Sequence, residues 1–313
     1  MTKTYKLFLL IVVTFCTACA EPPDDVMRIG TNIWPGYEPL YLAKELGYLE
    51  DSKVRLIEYT SASQVIKAFK NGLLDAAALT LDEAIKLQDS GEQFRIILVL
   101  DISSGADVLL GQKSIKSMPG IKGKRIGVEH TALGAYFMAR AMEVHNLKND
   151  DIILVPLEVN QHERAFNNKQ IDAVVTFEPV RSKLLSTGAN ILFDSSQIPG
   201  EIVDVLIVNE DKLSVLNINI VHLKSAWFRA LNEFEKNPGE SAKIMDIRMK
   251  LGFENVLKAF DGLQLPDEKQ NDLLLYAWPE PDLLVSSRRL SKVMFDKSIT
   301  QKLVDTENIF IKK

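Results

Sequence analysis

Cysteine is nearly missing from this chain. Of 313 residues only Cys16 and Cys19 carry a thiol, and both fall within the first twenty positions. The body downstream can hold no disulfide framework, no thiol nucleophile and no cysteine-ligated metal. Histidine is scarce too: His130, His145, His162 and His222 are spaced too widely for a local metal motif. His145 and His162 read as helix-surface residues. The signatures G-x-S-x-G, H-E-x-x-H, G-x-x-x-x-G-K-[ST] and the dinucleotide-binding glycine fingerprint are all absent. No catalytic residue, no metal and no cofactor is therefore expected. Positive charge is also short: 37 Lys and Arg face 42 Asp and Glu, a net charge of −5. That balance offers no electrostatic reason to bind nucleic acid.

The longest apolar run, Leu7 to Phe15, is far below the roughly 20 residues that span a bilayer. With Lys3 and Lys6 before it and small residues after it, residues 1–18 read as an export signal. Cys16-Thr17-Ala18-Cys19 resembles a bacterial lipobox, with leucine's usual place taken by Cys16, and Cys19 would then carry the lipid. Cleavage after Ala20 satisfies the small-x-small rule equally and stays open. Either way the protein is expected outside the cytoplasm, at the periplasm or cell surface, and in the first case anchored to the membrane. Setting aside Lys3 and Lys6 from the 37 basic residues leaves the 42 acidic ones in excess by seven.

After a polar linker over 19–26, short β-type runs alternate with helical ones. Met27 to Asn32, Val54 to Tyr59, Ala76 to Leu79 and Arg95 to Leu100 read as strands. The pattern restarts at Lys124 to Val128 and continues through Ile152 to Pro156, Ile171 to Thr176 and Asn190 to Phe193. Alternation of this kind predicts an α/β protein with parallel-rich sheets flanked by helices. The halves also echo each other: Phe69-Lys-Asn-Gly-Leu-Leu-Asp75-Ala76 against Phe166-Asn-Asn-Lys-Gln-Ile-Asp172-Ala173. A further strand at Val203 to Val208 leads into mostly helical sequence. Two similar lobes follow, the first discontinuous over 27–104 and 204–313, the second over 105–203. The two crossings, near Asp101–Leu110 and Asp194–Val205, form a natural hinge.

In open parallel sheets, ligands gather beyond the carboxyl ends of the strands. That rule nominates Trp34 and Tyr37 as aromatic walls after the first strand, and Thr80 after the third. Thr131 reads as a helix N-cap; it and the free N–H groups running to Gly134 could cradle an anionic group, with His130 as a donor beside them. Asp107, Glu178 and Asp204 are the acidic candidates. Two of them facing the cleft would favour a ligand with a cationic or donor-rich group. Plain capping accounts equally for Thr131, dipole compensation for Glu178, and solvation for the two aspartates.

Trp34-Pro-Gly-Tyr37, Gly127-Val-Glu-His-Thr131 and Ile171-Asp-Ala-Val-Val-Thr-Phe-Glu-Pro179, taken in this order, resemble the taurine/nitrate/sulfonate group of ABC-transporter substrate-binding proteins. That group includes relatives concerned with thiamine pyrimidine precursors, and the resemblance covers roughly residues 27 to 260. It implies a type II-like periplasmic-binding-protein fold with the ligand in the interlobe cleft. The implied partners are a small polar or zwitterionic molecule (sulfonate, amino-sulfonate, nitrate-like or pyrimidine) and a permease with its ATPase. The chain would act as a monomer. A ligand-sensing module for a membrane signalling protein needs the same closure and stays open. Relatives that synthesise thiamine pyrimidine depend on a cysteine-rich motif, which this body lacks.

Overall fold

The computed structural model describes residues 26–148 and 151–311. The export signal at 1–18, Cys19 and the linker up to residue 25 lie outside the described residues. The chain opens with β1 (Met27–Thr31), α1 (Glu38–Glu45), β2 (Val54–Glu58), α2 (Ala62–Lys70), β3 (Ala76–Thr80), α3 (Leu81–Asp89) and β4 (Phe94–Ser103). It crosses into β5 (Val108–Gly111), β6 (Arg125–Val128), α4 (Ala132–Val144), β7 (Ile153–Pro156), α5 (Val159–Asn167), β8 (Ala173–Thr176), α6 (Val180–Ser186) and β9 (Asn190–Asp194). It returns through β10 (Val203–Asn209), then α7 (Asn217–Lys236), α8 (Pro238–Met249), α9 (Phe253–Ala259), β11 (Leu263–Gln264), α10 (Glu268–Tyr276) and α11 (Asp282–Asp296).

Two sheets result, and they share one plan. The first runs β11-β4-β10-β3-β1-β2 and the second β7-β6-β8-β5-β9. In each, a βαβ core pairs in parallel and one crossing strand lies antiparallel between its third and fourth members. That strand is β10 in the first sheet and β5 in the second. The sheets are therefore mixed: each crossing strand arrives from the opposite lobe and must run against the strands it joins. β3 is buried along its whole length, because helices cover both faces of the sheet.

The sequence echo has a structural cause. Asp75, just before β3, accepts from the backbone N–H and the guanidinium of Arg28 at 2.9 Å. Asp172, just before β8, accepts from the same groups of Arg125 at 2.9 to 3.2 Å. Each clamp pins the start of the third strand to the start of the first. The C-terminal helices pack back on the first sheet. Asn271 of α10 splices into β4, its Oδ1 accepting from Val99 N–H at 2.8 Å and its Nδ2 donating to Val99 C=O at 3.1 Å.

One sequence expectation fails here. His162 is not on a helix surface: it is 1% exposed, with Nδ1 3.2 Å from Thr176 Oγ1. The inward face of α5 meets β8, and burial pulls the His162 pKa down to about 4. The imidazole is neutral and structural.

Candidate functional site

The carboxyl ends of β1, β3, β4 and β8 and the start of β10 converge on a small chamber where the lobes meet. Trp34 opens the 3-10 turn Pro35–Tyr37 that follows β1. Its indole Nε1 donates to Asp101 Oδ2 at 2.9 Å, and its ring meets Phe177 of the second lobe edge-on at 5.3 Å. The Tyr37 hydroxyl donates to Asp204 Oδ1. Trp34, Tyr37, Thr80, Asp107 and Asp204 all line the chamber, together with Asn32, Glu83, Glu129 and Phe177. The chamber holds about 20 Å³, room on the order of a water molecule or two.

Its electrostatics are one-sided. Glu83, Asp107, Glu129 and Asp204 face it, Asp82 and Asp101 stand buried beside them, and no Lys or Arg is among the described lining residues. Desolvation is the leading cause of every shift here, with the neighbouring carboxylates adding to most. Burial pushes Asp101 and Glu83 up to about 8, Asp82 to about 7 and Asp107 to about 6. Asp204 is driven well above the carboxylate range by burial and then by Asp101. Among the described residues, several buried carboxyl oxygens have no direct hydrogen-bond partner: Glu83 Oε1, Asp101 Oδ1 and Asp107 Oδ2. Buried polar atoms are normally paired, so a cluster of orphans marks a place that awaits a partner.

Beside the chamber lies a larger groove of about 660 Å³, between α2 and α3 on one side and α4 on the other. Glu83 and Glu129 line both spaces. His130, Thr131 and Gly134 line the groove and not the chamber. Thr131 caps α4, its Oγ1 accepting from Gly134 N–H at 3.4 Å. Gly134 is required by space: a Cβ there would lie 2.3 Å from the Glu129 carbonyl oxygen. Ile66, Leu87, Met138, Met142 and Leu154 make the groove mainly apolar. Two bonds fasten the lobes at its inner end, where Ser63 N–H and Oγ both donate to Glu129 Oε1 at 2.8 and 2.6 Å.

Glu178 sits elsewhere. It is 1% exposed and turned into its own helix end, bonded to Arg181 Nη1 at 3.1 Å, Ser182 N–H at 3.1 Å and Ser182 Oγ at 2.8 Å. It lines neither space. Sequence reasoning passed over Glu83, Asp101 and Glu129. A signal for Glu83 existed: Thr80-Leu-Asp-Glu83 is a capping-box pattern, and Thr80 N–H does donate to Glu83 Oε2 at 3.2 Å. Asp101 was hidden by a bulge. Asp204 pairs with Asp101 while Val205 pairs with Val99, so Leu100 is extra and the alternation breaks there.

Residues 20–247 match the sequence pattern of the NMT1-like family. Over 201 residues, 59% of this chain, it is 27% identical to a protein of Bacillus subtilis (strain 168) named for aliphatic sulfonates binding. That match covers 60% of the relative's own length, so the chain spans about three fifths of it. Among solved structures, the alkanesulfonate-binding protein SsuA from Xanthomonas axonopodis pv. citri bound to MOPS superposes with a TM-score of 0.75. It is 18% identical, over 91% of this chain and 97% of that one. The periplasmic aliphatic sulphonate binding protein SsuA from Escherichia coli gives 0.73, at 18% identity and the same coverage. At such identities the likeness carries the fold alone: two mixed α/β sheets of the periplasmic-binding-protein kind.

Proposed function

We propose, on the premise that this chain belongs to the NMT1-like family, that it is the solute-binding component of an ABC import system. It would capture a small polar or zwitterionic molecule by closing two lobes, 27–104 with 204–313 and 105–203, about the crossings near 101–110 and 194–205. The observation that carries this reading is the chamber itself, walled by Trp34, Tyr37, Thr80 and Asp204 from one lobe and by Phe177 and Glu129 from the other. Contacts made to both lobes at once exist only in the closed form. A ligand there lowers the energy of that form and shifts the population toward it. A permease with its ATPase would read the closed surface. The export signal and a lipid on Cys19 would keep the protein at the membrane face where that permease opens.

A thermal-shift screen against sulfonates, amino acids, polyamines, nitrate and pyrimidines tests the reading. A ligand at a hundred times its dissociation constant stabilises by about 2.7 kcal/mol, well within detection. Deleting the gene should then abolish uptake of the same compound. A screen with no stabilising class, or uptake untouched by the deletion, removes the proposal. Radiolabelled fatty acid incorporated by the native protein and not by Cys19→Ala tests the anchor.

A further inference from the structure

The chamber and the groove together restrict what the ligand can be. Glu83 and Asp107 line the chamber at 2% and 3% exposure, and each presents an oxygen with no partner, Oε1 and Oδ2. Carboxyl oxygens dominate the groups waiting for a partner; burial keeps them protonated while the chamber is empty, and an arriving cation lets them ionise and release those protons. A sulfonate or nitrate brings more acceptors and more negative charge, and among the described residues no Lys or Arg lines the chamber to receive it. Size agrees with charge, since about 20 Å³, room for a water-sized group, suits a compact ammonium. An ammonium brings three donors and one positive charge in that volume. Trp34, Tyr37 and Phe177 complete the wall with aromatic rings, a residue type whose faces attract cations.

The groove supplies the other half. Its volume of about 660 Å³ lies within the range of roughly 300–1,000 Å³ that holds drug-sized ligands. Its floor is Ile66, Leu87, Met138, Met142 and Leu154. The lysines at its rim are already engaged: Lys70 with Ser90, Lys86 with Asp89 and Lys297 with Glu143. Glu83 and Glu129 line both spaces, which sets the groove directly against the chamber.

We infer that the ligand is an amine with an apolar body, its ammonium in the chamber between Glu83, Asp107 and Asp204 and its carbon skeleton in the groove. This inference rests on the solute-binding reading above and narrows it. Calorimetry and tryptophan fluorescence with three probes test it: hexylamine, methylamine and hexane-1-sulfonate. Hexylamine should bind at least tenfold tighter than either of the others. Glu83→Gln and Asp107→Asn should each weaken hexylamine tenfold or more, with circular dichroism unchanged. Gln at 83 keeps an acceptor for the Thr80 N–H, so loss of binding there reports charge and not a broken helix cap. Equal or tighter binding of hexane-1-sulfonate overturns the cationic assignment and leaves solute binding standing. Methylamine matching hexylamine removes the groove from the site. Unchanged hexylamine affinity in both variants removes the carboxylates. If none of the three probes binds, the amine assignment falls; if the wider screen is also empty, the solute-binding reading falls with it.

Discussion

Asp101 and Asp204 are cross-strand partners on β4 and β10, and each carboxyl is held by a different aromatic donor from the turn after β1. Trp34 secures the first and Tyr37 the second. Two acids side by side in a buried sheet cannot both ionise cheaply, and the aromatic donors only partly offset the cost. The pair therefore keeps at least one proton at neutral pH, and proton uptake is built into the folded state.

Stability should consequently fall as pH rises from 6.5 to 8.5. In the unfolded chain the carboxyls titrate near about 4. In the folded protein Asp101 and Glu83 reach about 8, and Asp82 and Glu38 about 7, chiefly through burial. Across that window the native state binds more protons than the unfolded one, so the slope of stability against pH is negative. His162, depressed to about 4, works in the opposite direction, but only below about 6.5 where the unfolded imidazole charges. Thermal melts in constant ionic strength should show a Tm lower by several degrees at pH 8.5, given roughly 2–4 °C per kcal/mol for a protein of this order of size. Glu83→Gln should flatten the trend and raise Tm at the alkaline end. A Tm that climbs through the window would contradict a protonated cluster.

Trp34→Phe isolates the indole N–H from the ring. The phenyl group can still meet Phe177 edge-on, while Asp101 Oδ2 loses its donor. An unsatisfied buried acceptor costs about 1–3 kcal/mol, and that loss should be read in urea titration. The ligand-induced fluorescence change should vanish in the same variant, because neither Trp227 nor Trp278 lines the chamber. A surviving signal would point to one of those two as the reporter.

Gly36→Ala should abolish binding through space and not through backbone strain. A Cβ at 36 would stand 1.7 Å from Asp101 Oδ2 and 2.6 Å from Trp34 Nε1, so the bond between them must break. Overpacking of this kind typically costs about 1–3 kcal/mol. Denaturant midpoint and ligand titration together check it; wild-type values in both would mean that the turn yields more easily than its geometry indicates.

Glu129→Ala removes the acceptor for two bonds from Ser63 and with it the polar fastening between α2 and the second lobe. An intramolecular hydrogen bond contributes about 0.5–1.5 kcal/mol net, so losing two should quicken ligand dissociation by roughly tenfold. Small-angle scattering of the free variant should give a larger radius of gyration than wild type. Identical scattering and dissociation would assign lobe closure to the Trp34–Phe177 contact instead.

Much of the architecture was legible because the α/β alternation is local. β1, β3, β6 and β8 are short apolar runs, and the Asp-Ala steps at 75 and 172 mark the same clamp twice. The antiparallel course of β5 and β10 was not legible, since strand direction depends on which lobe the chain has just left. At the site, residues immediately after strands were found by a positional rule: Trp34, Tyr37 and Thr80 line the chamber. Glu83 lies one helical turn further on, and Asp101 sits beyond a bulge that no period-two pattern anticipates. Glu178 satisfied the positional rule, yet Arg181 and Ser182 take up its oxygens. Contacts three and four residues away decided where that side chain points.

The exchange of crossing strands also sets an order of assembly. β5 through β9 form one continuous stretch, so the second sheet can close as soon as residue 194 is available. The first sheet cannot, because β10 lies between β3 and β4, and its last residue is Asn209. In a chain delivered from its N-terminus, the earlier lobe must wait for the later one, carrying an unfilled gap between two buried apolar strands. Asp101 and Asp204 meet only when that gap is filled. The acidic chamber is thus among the last features of the molecule to come into being.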